Sequence, residues 1–166
     1  MPKIEPIAIE EVPAALERAE RYRLMNEPKA TESICLDVLN VDPENQEALK
    51  FLVLSLSEQF KSGLHPAFDR AKDVLSRITD EYIRLFYKGV IYERQAMAHL
   101  AKEGFGAGWI AHDCFENAMA CYRQAMRIRP ERNPDALLRW NTCVRIMQEH
   151  PEVAPEPRHA SESMLE

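Results

Sequence analysis

The chain has 166 residues, 46% of them apolar and 29% charged, and a formal net charge of −6. That is the mass of one domain, enough to bury a core without disulfide or metal staples. A mean hydropathy of −0.39, with no apolar run near the roughly 18 residues that a spanning helix needs, excludes a transmembrane segment.

In chain order, residues 1–12 read as an N-terminal extension, and helices follow wherever apolar residues recur at three- and four-residue spacing. The first covers 13–25, with Ala15, Leu16, Ala19 and Tyr22 on one side. The second, 29–40, buries Ile34, Cys35, Val38 and Leu39 and stops before Pro43. A third covers 45–62, where Asn45 is placed to accept from the backbone N–H of Ala48. A fourth covers 66–78, with Ala67, Ala71, Val74 and Leu75 inward, and a fifth 80–103. The segment Gly104-Phe105-Gly106-Ala107-Gly108-Trp109 turns the chain into a sixth helix, 110–129, and a seventh covers 133–149. Residues 150–166 are rich in Pro, Glu and Ser and read as a disordered acidic tail.

No proline lies between Pro66 and Pro130, and all five glycines fall within 63–108. No β-branched stretch alternates with period two, so the predicted class is all-α. Cys35, Cys114, Cys121 and Cys143 show no CxxC spacing and read as small buried apolar residues. The N-terminus lacks a basic region followed by an apolar stretch, which predicts a cytoplasmic protein.

Internal repetition organises these helices. Pro43 and Pro130 each follow a helix, with Thr31, Cys35, Val38, Leu39 before one and Ala118, Tyr122, Ala125, Met126 at the same offsets before the other. With Ala19 and Tyr22 at their own offsets upstream, this resembles the tetratricopeptide repeat, whose unit is a helical hairpin of roughly 34 residues. Residues 12–45 match one unit. Residues 46–81 match a second through Leu49, Val53, Leu56, Ala67, Ala71 and Val74, with Thr79 where the family has proline. Residues 82–132 match a third through Leu85, Gly89, Tyr92, Ala118, Tyr122, Ala125 and Pro130. Between Tyr92 and Ala118 the chain is longer than the family's spacing by about 17 residues, which extends the third hairpin. Residues 133–149 then resemble the closing helix of such a stack.

The resemblance implies a right-handed superhelical stack of antiparallel hairpins, about seven helices, in one domain over 13–149. It also implies a concave groove lined by the first helix of each hairpin. The matching residues are Leu16, Glu20 and Arg23, then Lys50, Leu54 and Ser57, then Phe86, Val90 and Glu93, with Pro13, Glu47 and Ile83 beside them. Apolar anchors among a few charges suit a peptide or amphipathic helix of another protein. The N-terminal residues Ile4, Ile7, Ala8 and Ile9 are the alternative occupant. A chaperone-type carboxylate clamp is disfavoured, because Leu16, Glu20, Glu47, Phe51, Ile83 and Tyr87 stand where that branch of the family carries its cations.

The extended hairpin over 93–117 carries Phe105, Trp109 and Ile110 at its tip, either as an exposed contact for a partner or a second copy, or with Trp109 packed between its own arms. The glycines there are not a nucleotide cradle, since a helix rather than a strand precedes them. His99, His112 and Asp113 lack metal-ligand spacing, and no catalytic motif is legible. No enzymatic activity, cofactor or metal is therefore expected.

Charge is segregated. Both termini are acidic, residues 13–148 are neutral, residues 27–81 carry −5 and residues 123–145 carry +4. The arginine-rich end leaves an RNA-binding alternative, although the overall balance disfavours nucleic acid, and head-to-tail pairing of two copies is a further use. The first expectation is a non-enzymatic protein-binding adaptor. The alternative of a secretion-type chaperone for an unfolded client fits the same size and charge.

Overall fold

The computed structural model describes residues 1–60 and 66–157. Among them the chain forms a short 3-10 turn at Ile9–Glu11 and seven α-helices: α1 Val12–Leu24, α2 Pro28–Val41, α3 Gln46–Ser57, α4 Pro66–Leu75, α5 Glu81–Lys102, α6 Ala107–Arg127 and α7 Asp135–Glu149. No strand occurs among the described residues, and the chain is all-α.

Local chemistry sets most of the boundaries. Pro13 sits in the first turn of α1 and Pro28 opens α2, where a missing N–H costs nothing. Asn45 Oδ1 accepts from the Ala48 N–H at 2.9 Å, and Asp80 Oδ1 from the Ile83 N–H at 2.8 Å, so both caps hold orphan donors of the first turn. Asn26 closes α1 with φ 58, and the Glu27 N–H returns to the Tyr22 carbonyl at 2.9 Å.

Two helices end before their apolar pattern does. The pattern carries the third helix to residue 62, yet α3 stops at Ser57. The Ser55 and Ser57 hydroxyls donate back to the Leu52 and Leu54 carbonyls, and Gln59 and Phe60 tighten into three-residue bonds to Leu56 and Ser57. Residues 61–62 lie outside the described residues. Likewise α4 stops at Leu75, with Arg77 and Ile78 bonded three residues back and Thr79 tied by its N–H to Gln46 Oε1 at 2.9 Å.

Each helix packs chiefly against the next in the chain. The α5–α6 contacts Gln95–Cys114, Glu93–Tyr122 and Gly89–Tyr122 run in opposite sequence directions, which makes that long hairpin antiparallel. At about 1.5 Å per residue, α5 and α6 are each roughly 32 Å long. Odd-numbered helices also touch one another: α1 on α3, α3 on α5, and α5 on α7 through Glu93 and Arg139. On the other side α2 and α4 are joined by Glu32 and Arg70.

The buried side chains form two large clusters. Leu49, Val53, Leu56, Ala71, Leu75 and Ile78 anchor the first, between α1 and α5. Phe115, Ala118, Tyr122, Ala125, Ala136 and Cys143 anchor the second, among α5, α6 and α7. Helix α5 serves both, giving Ile91 and Ala98 to the first and Val90 and Ala96 to the second. Each large apolar side chain removed from water contributes about 1.5–3 kcal/mol.

Both ends depart from the simple picture of free extensions. Val12 is buried with Val38 and Ala48, and Ile7 packs on that cluster. Ile4 and Pro6 flank Leu36, Asp37 and Asn40 of α2. Within the expected tail, residues 150–157 lie back against the helices. Val153 is 7% exposed and joins the second cluster. Gly108 lies so close to the Glu152 carbonyl that a Cβ there would overlap it. The rest of the expected tail, 158–166, lies outside the described residues.

Candidate functional site

The odd-numbered helices present one face whose centre is aromatic. On α5, Tyr82 and Phe86 stack at 6.1 Å, and Phe86 meets Tyr87 edge-on at 5.4 Å. Phe86 also lines an open cleft of about 350 Å³ with Asp135, Leu138, Arg139 and Thr142 of α7. Leu138 is 56% exposed there, and Leu137 beside it 40%.

Charges from three other helices surround the Tyr87 phenol. Burial pushes its pKa up, the Glu47 carboxylate adds to this, Arg23 opposes it, and Asp135 raises it further. Arg23 places its guanidinium 5.9 Å from the centre of the Phe51 ring, and its buried Nε has no acceptor among the described residues. Lys50 pairs with Glu47 at 2.5 Å. The surface therefore combines an aromatic and aliphatic centre with a rim of both signs.

The groove residues read from the sequence divide into two sets. Glu20 is exposed, while Leu16, Arg23, Lys50 and Phe86 are half-buried, so these five keep surface for a ligand. Leu54, Ser57, Val90 and Glu93 are buried and present none. Ser57 donates to the Leu54 carbonyl at 2.7 Å. Leu54 and Val90 belong to the second core cluster.

Glu93 is 5% exposed and accepts from the Tyr122 hydroxyl at 2.6 Å and from Arg139 Nη1 at 2.9 Å. A buried carboxylate in that position is a strut between α5, α6 and α7, not a contact for a partner. It keeps the Tyr122 phenol protonated: burial first, then the Glu93 charge and hydrogen bond, push that phenol far up. The groove read from the sequence contains no residue of α7, so Asp135, Leu138 and Arg139 are absent from it, and Tyr87 enters only as a clamp position. The signal that would have found α7 is the adjacent pair Leu137-Leu138, apolar residues beyond those that α7 gives to the second core.

At the hairpin tip Phe105 is 97% exposed and Ile110 47%. Trp109 is half-buried and meets Phe105 edge-on at 5.2 Å. It belongs to neither core cluster. Gly106 turns the chain with φ 77, a conformation that a side chain would strain.

All four cysteines are free and buried. Burial pushes the Cys35 and Cys143 thiols to about 12 and the Cys114 thiol to about 11, so none of these three is a thiolate at neutral pH. His112 lies 3.3 Å from its neighbour Asp113. Among the described residues no group of three or more His, Cys, Asp or Glu side chains is placed to hold a metal ion. No helix among them is long and apolar enough to cross a membrane.

The chain matches no family model, no curated protein and no solved structure.

Proposed function

We propose that the protein is a non-enzymatic binding module of the tetratricopeptide-repeat kind, acting in the cytoplasm as an adaptor for a peptide or amphipathic helix of a partner protein. The observation that carries this reading is the open face around Phe86, Tyr87 and Leu138. A large apolar residue, Leu138, stands 56% exposed in a cleft with Phe86, Asp135 and Arg139, while Glu47 and Arg23 act on the neighbouring Tyr87 and Lys50 pairs with Glu47. An amphipathic segment fits such a surface by seating one or two apolar anchors on Phe86 and Leu138 while its polar side chains meet the rim. The mixed rim favours a segment carrying both signs over a nucleic acid.

Selection from a displayed library of amphipathic helical peptides tests it. Leu138→Glu places a carboxylate among the anchors and is expected to weaken the selected peptides at least about tenfold. Phe105→Ala, at the far tip, is expected to leave them unchanged. Peptides indifferent to Leu138→Glu, or dependent on Phe105, would overturn this reading of the face.

A further inference from the structure

A second surface lies between α4 and α5, away from the face just described. There the two helices enclose a cleft of about 290 Å³. Its floor is apolar, built by Leu75, Leu85 and Ile91, with Tyr92 at one side. Its rim is cationic: Lys72 comes from α4, and Arg84 and Lys88 come from successive turns of α5.

Ion pairing among the described residues does not account for this rim. Arg84 and Lys88 are like charges four apart on one helix, an arrangement that weakens the helix by a few tenths of a kcal/mol. No carboxylate lines the cleft, and none of the three cations has an ion-pair partner among the described residues. Asp69 and Asp73 on α4 and Glu81 on α5 are exposed and do not line it. Arg84 uses Nη1 to bond the Ile78 carbonyl at 2.7 Å, which fixes its side chain across the top of α5. The Lys72 ammonium stands 5.2 Å from the centre of the Phe68 ring, which itself meets the Tyr92 ring edge-on at 6.1 Å.

We infer that this cleft docks an acidic segment of a partner protein, seating one large apolar side chain on Leu75, Leu85 and Ile91 between carboxylates held by Lys72, Arg84 and Lys88. The volume suits a single anchor side chain, and a whole helix would not enter it. Charge complementarity sets the partner's sign: three cations over an apolar floor attract carboxylates on both sides of the anchor and repel a basic peptide. The surface is separate from the Phe86–Leu138 face, so the protein has room for two partner segments at once.

The test uses the full chain labelled with nitrogen-15 and two blocked peptides, acetyl-Glu-Leu-Phe-Glu-amide and acetyl-Glu-Ile-Trp-Glu-amide, titrated to millimolar concentration. Saturable shifts are expected at the amides of Leu75, Leu85, Lys88 and Tyr92. The double variant Lys72→Glu/Lys88→Glu is expected to weaken binding at least about tenfold, and Lys72→Gln/Lys88→Gln by a smaller factor. Both lysines are exposed, so the helical spectrum should not change. Leu138→Glu should leave this binding intact, which separates it from the other face. The inference is overturned by the absence of saturation with both peptides. It is equally overturned by equal affinity for the Gln-Leu-Phe-Gln analogue, by indifference to the lysine variants, or by binding to phosphatidylserine vesicles with no response to either peptide.

Discussion

Glu32 shows how one polar residue can hold several helices. It is 7% exposed, in α2, and accepts from Gln59 Nε2 at 2.8 Å and from Arg70 Nη2 at 2.5 Å, with Lys29 Nζ at 3.4 Å. Burial alone would raise the carboxyl pKa. The hydrogen bonds from Gln59 and Arg70 and the charges of Arg70 and Lys29 outweigh it, so the folded state holds the group below its ordinary 4.5. The sign follows directly. A carboxyl depressed on folding contributes stability that is complete above about 4.5 and is lost as pH falls through the lower folded value. Urea midpoints should therefore decline for the wild type between about pH 6 and pH 3, and decline less for Glu32→Gln. At neutral pH that variant should itself lose about 1–3 kcal/mol, since Arg70 and Gln59 then face a weaker acceptor. Parallel pH profiles for the two proteins would refute the assignment.

Among the elements, the C-terminal segment after α7 has the clearest single dependence. It lies over the start of α6, where Gly108 approaches the Glu152 carbonyl and Val153 enters the second core. Gly108→Ala favours α6 itself by about 1 kcal/mol, because alanine is the better helix former. Its Cβ would still overlap the Glu152 carbonyl oxygen, so the segment must lift. Hydrogen exchange at the Val153 amide, which bonds the His150 carbonyl at 2.9 Å, is expected to accelerate in this variant. The loss of Val153 burial costs about 1–2 kcal/mol. Unchanged protection at Val153 would show that the segment does not depend on Gly108. This docking was illegible in the sequence because Val153 stands among Pro and Glu, and its binding surface comes from residues some forty positions away. The helices were legible because their signals are local: the caps Asn45 and Asp80, and the prolines Pro13 and Pro28, act within one turn. The groove was half legible for the same reason. Periodicity places Val90 and Glu93 on a face of α5, but only the packing of Tyr122 and Arg139 decides that the face is covered.

At the scale of the whole molecule, α5 decides whether the chain behaves as one cooperative unit or as a string of hairpins. A linear array whose units touch only their neighbours loses its ends independently. Here a single helix supplies Ile91 and Ala98 to one core and Val90 and Ala96 to the other, so neither core can open without exposing part of its wall to water. Trp140 packs on the second core, with the Arg123 guanidinium 4.7 Å from its ring centre, and gives a fluorescence probe of that end once Trp109 is replaced by Phe. Leu49 is fully buried in the first core, and Leu49→Ala should cost about 2–5 kcal/mol. If α5 couples the two, Leu49→Ala lowers the urea midpoint read at Trp140 by as much as the midpoint read by helical circular dichroism, and the two curves superimpose. A Trp140 transition that stays at its original midpoint while the circular dichroism splits in two would mean that the cores unfold separately and α5 transmits nothing between them.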